Sequence, residues 1–312
     1  MPEHGQPARY NVSMMGPVAA RVLARGGRGD VRAVFQRSFY VEIAGEHLCI
    51  GVSDLVAGPL NVLAAVPTWG ALIQDLRVGD KVDVSHGCFR AANSLILDFV
   101  DTAVWSPPTV PEWCLESVRS GLKGFLDAAA DSLPDEGLGR FMEPDPGCRF
   151  PHSILYDHAI GPVSRLQAWL REAMLNPNLV PDPDVTDWRG LLGLGPGLTP
   201  SGDDLLGGVM IALHTLGQRR ALESLSGAVN PILSERTNAI SGAHLRSAME
   251  GMGCEPLHCA VSGIMTGNRE SLPKVIKAID AVGHTSGWDA MAGVVITMGS
   301  WVQSGKMSRS AA

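Results

Sequence analysis

Between Val31 and Trp105 the hydrophobic positions recur with a short period. VRAVFQRSFYVEI alternates apolar and polar positions and is rich in β-branched and aromatic residues, and HLCIGV follows a Gly-Glu turn. RVGDKVDVS, GCFRAANSLILDF and DTAVW continue the pattern, punctuated by Gly-Asp and His-Gly. Such runs predict strands, here a small antiparallel sheet or barrel. GPLN, Gly58 to Asn61, is too turn-like for the centre of a strand.

Beyond the proline-rich SPPTVPEW, Ser106 to Trp113, the apolar spacing changes to three and four residues. CLESVRSGLKGFLDAAADS predicts a helix, and HSILYDHAIGPVSRLQAWLREAML predicts one or two. Polar loops rich in Pro, Asp and Gly follow each, over Leu133 to Arg149 and over NPNLVPDPDVTD. LLGGVMIALHTLG, ERTNAISGAHLRSAMEGM, PLHCAVSGIM, ESLPKVIKAIDAVG and WDAMAGVVITMGSWV are again helical in pattern. The expected architecture is α+β: a β-rich N-terminal domain over 1–108 and a mostly helical domain over 109–312.

Composition narrows the function classes. The 312 residues are 45% hydrophobic and 18% charged, enough for a sizeable core, and the formal net charge is −7. With no long basic run, neither nucleic acid nor an anionic membrane surface is an expected partner. No apolar run approaches a membrane span, and the N-terminus lacks a signal-peptide pattern, so a cytoplasmic protein is expected. The cysteines Cys49, Cys88, Cys114, Cys148, Cys254 and Cys259 form no CxxC and suggest reduced thiols. Cys254, His258 and Cys259 lack the second ligand pair that a zinc site requires.

Glycine is abundant, at 36 residues against roughly 7% on average, and concentrates in GLGPGLTPSGDDLLGG, Gly193 to Gly208. Ser201 with Asp204 three residues on resembles a capping box, and the paired Gly207 and Gly208 in a helix interior suggest a close packing partner. HTSGWDAMAG, His284 to Gly293, repeats the design: Ser286, Gly287, Asp289 and Gly293 match Ser201, Gly202, Asp204 and Gly208. The expectation is two helices that cross at their glycines and bring their starts together. Capping and packing alone account for the shared residues. Asp203, Thr199 and the glycines Gly195 and Gly197 belong to the first copy only, and His284 and Thr285 to the second, so these call for a ligand.

Helix starts with glycine-rich leads attract anions, while adjacent carboxylates oppose them on the order of 1 kcal/mol. Either a cation such as Mg²⁺ sits between Asp203 and Asp204, or the carboxylates face an amine, amide or hydroxyl. The segment is neither a P-loop nor a dinucleotide fingerprint. Ser234-Glu-Arg-Thr, with Arg236 and Thr237 at a helix start, is a further anion candidate, whereas His214 and His244 are expected to be structural or surface histidines.

The two glycine-rich motifs, together with GPLN and ERTNAISG, resemble a bacterial family long labelled as uncharacterised. Its best-described member is a subunit of the oxamate carbamoyltransferase of anaerobic allantoin and purine degradation. The resemblance implies an enzyme subunit that acts with separately encoded partner subunits and moves a carbamoyl group between oxamate and phosphate. It leaves open which subunit holds the active site. The S-x-R-T-R loop of well-known carbamoyltransferases is met here only as far as Thr237, since Asn238 replaces the final Arg. Asp203 and His284 are the catalytic candidates. Gly195, Gly197, Thr199, Ser201, Gly202, Asp204, Arg236, Thr237, Thr285, Ser286 and Asp289 are candidates for holding the small substrate or anion. A non-catalytic assembly or regulatory subunit and a Mg-nucleotide-dependent enzyme are the alternatives.

Overall fold

Among the described residues, nine strands and two helices make up the first of two units, Met1–Ser106, into which the computed structural model divides the chain; the second is Pro107–Ala312. The structure describes residues 8–67, 69–91, 95–109, 112–143, 150–181 and 188–310. Cys148 lies outside them.

The first unit runs β1 (Ala8–Met15), α1 (Pro17–Arg25), β2 (Gly27–Val34), β3 (Ser38–Ile43), β4 (Glu46–Val52), β5 (Asn61–Ala64), α2 (Trp69–Asp75), β6 (Lys81–Ser85), β7 (Cys88–Ala91), β8 (Leu95–Asp98) and β9 (Ala103–Val104). The order β5-β4-β3-β2-β6-β7-β8-β1 closes through β1–β5 pairing into an eight-stranded barrel, and β9 adds to β1. Alternation explains the inside: Phe39, Val41 and Ile43 of β3 are fully buried while the residues between them are half-exposed. Phe39 stacks on Trp69 at 6.1 Å.

Two details differ from the sequence reading. The barrel is mixed, because β1 pairs with β8, and β4 with β5, in parallel. The β3–β4 turn is Ala44-Gly45, both at positive φ, rather than Gly-Glu; His86-Gly87 makes the same kind of turn between β6 and β7. GPLN proves to be a cap for a helix. Pro59 O accepts the amides of Val18 and Ala19 at 3.1 Å each, satisfying the start of α1. A Cβ on Gly16 would lie 2.1 Å from Gly58 O, which explains the glycine before that helix.

The helical unit comprises α3 (Leu115–Ala129), α4 (Ile154–Leu175), α5 (Ser201–Thr215), α6 (Arg219–Val229), α7 (Leu233–Arg236), α8 (Ala239–Met249), α9 (Glu255–Thr266), α10 (Leu272–Asp280) and α11 (Ser286–Ser310). HSILYDHAIGPVSRLQAWLREAML forms the single helix α4, with Pro162 inside it. The core centres on α5 and α11. Leu205, Leu206, Val209, Met210 and Leu213 of α5 and Met291, Val294 and Met298 of α11 are all fully buried. A helix apolar on nearly every side must be enclosed, and α5 is packed by α11, α6 and α8. No helix among the described residues is long and apolar enough to cross a membrane.

Candidate functional site at the crossing of two helix starts

The helices α5 and α11 meet reciprocally. A Cβ on Gly208 would lie 1.9 Å from Ala290 O, and one on Gly293 would lie 2.0 Å from Leu205 O. The offset that carries Ser201 to Ser286 also carries Leu205 to Ala290 and Gly208 to Gly293. The echo in the sequence is therefore a local two-fold arrangement, in which each glycine accepts the backbone of the other copy. Gly202 and Gly287 do the same for preceding segments: a Cβ there would lie 2.0 Å from Leu191 O and 2.2 Å from Ile279 O.

Close approach of the helices brings their starts together. Thr199 Oγ1 and Ser286 Oγ are 3.0 Å apart. The serines are not caps, contrary to the capping-box expectation. Each opens its helix, and the N-cap of α5 is Pro200, whose carbonyl accepts the amides of Asp203 and Asp204. In the second copy Thr285 O accepts the amide of Asp289 at 2.9 Å. Freed from capping, the serine hydroxyls turn across the pair, Ser201 towards the Asp289 carboxyl and Ser286 towards that of Asp204.

The three aspartates have different tasks. Asp203 is 2% exposed and bonded at both oxygens: Oδ1 accepts Gly193 N at 2.8 Å, and Oδ2 accepts Ser241 Oγ at 2.6 Å and Thr237 Oγ1. It thus ties together the glycine-rich loop, the end of α7 and the first turn of α8. Asp289, fully buried, accepts Leu138 N on Oδ1 and Thr285 Oγ1 on Oδ2 at 2.8 Å, which anchors the loop before a short 3₁₀ turn, Gly139–Met142. Asp204 lies between them. The Ser286 and Thr199 hydroxyls approach its carboxyl, yet its enclosed Oδ2 has no hydrogen-bond partner. Burial pushes all three carboxyls above the ordinary range. The shift is large for Asp204, which also feels the charges of Asp289 and Asp203.

The loop ahead of α5 is set by glycines. Gly193, Gly195 and Gly197 all have positive φ, and a Cβ on Gly193 would lie 2.1 Å from Arg236 O. Asn238 Nδ2 donates to Leu198 O at 2.9 Å and so pins the loop from α8. The amides of Gly195, Gly197, Leu198 and Thr199 make no hydrogen bond among the described residues, whereas that of Gly202 is taken by Leu194 O. Pro196 and Gly197 are exposed. Arg236 is exposed at the end of α7 and forms no ion pair among the described residues.

Of the residues singled out in the sequence, Thr199, Ser201, Gly202, Asp203, Asp204, Thr285, Ser286 and Asp289 gather at the crossing. Gly195 and Gly197 lie on the loop leading in. Arg236 and Thr237 are joined to it through Gly193 and Asp203. His284 stands apart: it is largely exposed, and its Nε2 lies 2.9 Å from Glu136 Oε2. No set of three His, Cys, Asp or Glu among the described residues is arranged to hold a metal. With both oxygens of Asp203 engaged by donors, the pair Asp203 and Asp204 does not fit the Mg²⁺ site considered from sequence. His258 likewise accepts Gly253 N at 3.0 Å, as a structural histidine does.

Sequence reasoning missed Asn238, Ser241 and the loop Gly137–Leu138. Asn238 and Ser241 stand in the conspicuous ERTNAISG, and an Asn one residue before a helical run is a cap signal: its Oδ1 accepts Ser241 N at 3.0 Å. Nothing in the sequence ties Leu138 to Asp289.

No solved structure matches the chain. Residues 191–298 match a family model described as oxamate carbamoyltransferase subunit AllH. The matched stretch holds both helix starts, the glycine-rich loop and the α7–α8 junction, and its family is the one that the two motifs resemble, that of the oxamate carbamoyltransferase subunit.

Proposed function

We propose that the chain is a working subunit of a carbamoyltransferase-type assembly, and that the place where the starts of α5 and α11 meet binds a small carboxylate or phosphate that takes part in carbamoyl transfer. The observation that carries this reading is the 3.0 Å contact between Thr199 and Ser286, because it joins the two motifs beside a loop in which the Gly197, Leu198 and Thr199 amides make no hydrogen bond among the described residues. Successive amides of a glycine-rich loop make an anion cradle, and the exposed Arg236, whose backbone carbonyl abuts Gly193, is the candidate cation for it. A subunit of such an enzyme has protein partners as well as a small-molecule substrate.

Sequence reasoning set the carboxylates against an anion. Burial changes the balance, since carboxyls held above their ordinary range resist ionisation and, when protonated, donate hydrogen bonds. In this reading Asp203 and Asp289 position the two loops and Asp204 faces the substrate. For transfer out of oxalurate, the bond between the carbamoyl carbon and the oxamate nitrogen breaks, and the carbon bonds to a phosphate oxygen. A proton passes to the departing nitrogen, and Asp204 is the carboxyl with an oxygen to spare for that transfer. The amides and Arg236 would hold the oxyanions in line.

The test is turnover of the reconstituted complex with Asp204→Asn in this subunit. The amide keeps the shape but cannot supply the proton, so the rate is expected to fall at least 100-fold, the lower end of general acid catalysis at roughly 10², with the fold unchanged by circular dichroism. A variant as active as the parent would refute the assignment.

A further inference from the structure

At the far end of α5 from the motifs lies an open groove of about 840 Å³, lined by residues that the carbamoyl-transfer reading does not use. Its walls come from α6 and from the end of α8, with His214 and Gly217 between them. Each wall carries a guanidinium and, one turn on, a carboxylate: Arg219 and Glu223 on α6, Arg246 and Glu250 on and just beyond α8. Neither Arg219 nor Arg246 makes an ion pair within 4 Å among the described residues. The order Arg then Glu is the weaker one for pairing along a helix, so Arg219 and Glu223 are poorly placed to neutralise each other within the α6 wall. Ser226 Oγ is enclosed and has no hydrogen-bond partner. Leu222 and Met249 supply an apolar floor.

The volume is that of a small-molecule site, and the lining selects by charge. The two guanidiniums are matched by two carboxylates, so these four side chains give no excess of positive charge to draw in a phosphate. A dianion that reached the guanidiniums would share the groove with the carboxylates of Glu223 and Glu250. A molecule with one carboxylate and one ammonium satisfies both signs: a guanidinium forks the carboxylate, a carboxylate takes the ammonium, and an aliphatic side chain covers Leu222 and Met249. We propose that this groove is a binding site for a zwitterionic amino acid with an aliphatic side chain.

The proposal stands independently of the reading of the two motifs. The experiment uses the full chain and calorimetric titration with L-leucine, L-methionine, isopentylamine, 4-methylpentanoate and inorganic phosphate. Saturable binding of L-leucine or L-methionine is expected, at least tenfold tighter than the amine, the acid or phosphate, each of which satisfies one sign only. Arg219→Gln and Glu223→Gln, at exposed positions, should each weaken that binding at least tenfold and leave the unliganded melting temperature in place. Binding of neither amino acid overturns the proposal, as does equal binding of a singly charged analogue or of phosphate, or an affinity untouched by both substitutions.

Discussion

Thr199 and Ser286 stand 87 residues apart in the chain, and their hydroxyls lie 3.0 Å apart in the fold. The contact exists because two glycine-bearing helices cross reciprocally at Gly208 and Gly293. Because both helix starts are then in one place, three aspartates that would repel in water share a buried corner, each assigned by its neighbours.

The crossing makes a graded prediction along one helix. Gly208→Ala and Gly293→Ala place a methyl about 2 Å from a backbone carbonyl that cannot turn away. Each should cost about 3 kcal/mol, the upper range for overpacking. Gly207→Ala meets nothing closer than 3.8 Å and should leave stability unchanged or raise it by up to about 1 kcal/mol, the helix preference of Ala over Gly. Urea unfolding of the three variants checks the order.

Asp203→Ala is expected to be a folding variant. It strands the buried Ser241 hydroxyl, the Thr237 hydroxyl and the Gly193 amide together, with a loss of about 3 kcal/mol. Asp203→Asn retains an acceptor oxygen and should lose about 1 kcal/mol. Equal melting temperatures for the Ala variant and the parent would show that the three-way tie carries no stability.

Two buried groups should pull the pH dependence of stability in opposite directions. The Asp204 carboxyl is held well above 3.8 in the fold, so the native state keeps its proton longer than the unfolded chain. Stability is therefore lost as pH rises from 3.8 through the folded value. Asp204→Asn should be more stable than the parent at pH 7.5, with the gap closing towards pH 4.

His258 has the reverse sign. Burial, with His214 adding to it, lowers it from 6.5 to about 4, so its neutral form is favoured in the fold. The associated stability is complete above pH 6.5 and is lost as pH falls towards 4, on the order of 3 kcal/mol. His258→Gln should flatten that arm in unfolding measurements between pH 4 and 7, and an unchanged slope would exclude His258 as its source.

Much of the architecture was legible because it rests on local rules. The period-two pattern of SFYVEI and the three- and four-residue spacing of α3 both survive in the fold, and the echo of S-G-x-D-x-x-x-G announced the crossing. What escaped was non-local. The parallel pairing of β1 with β8 and the use of GPLN as the cap of α1 depend on segments distant in sequence. Ser201 looks like a cap because Ser at a helix start usually is one. Only the second helix, with Asp289 opposite, gives the hydroxyl another partner. The echo sets Asp204, matched by Asp289, apart from Asp203, but only the hydroxyls of Thr237 and Ser241, distant in sequence, decide that Asp203 is the saturated one. His284 drew attention as a titratable residue in a motif, but the turn before α11 directs it to solvent and Glu136.

The central claim is that the meeting of the two helix starts is a binding site. Calorimetric titration of oxamate into the purified chain tests it most directly, with Thr199→Val and Ser286→Ala run alongside and Glu223→Gln in the distant groove as control. Saturable one-to-one binding is predicted, weakened at least tenfold by either hydroxyl deletion and unmoved by the control. No binding by the parent chain, or binding that both deletions leave intact, would contradict it.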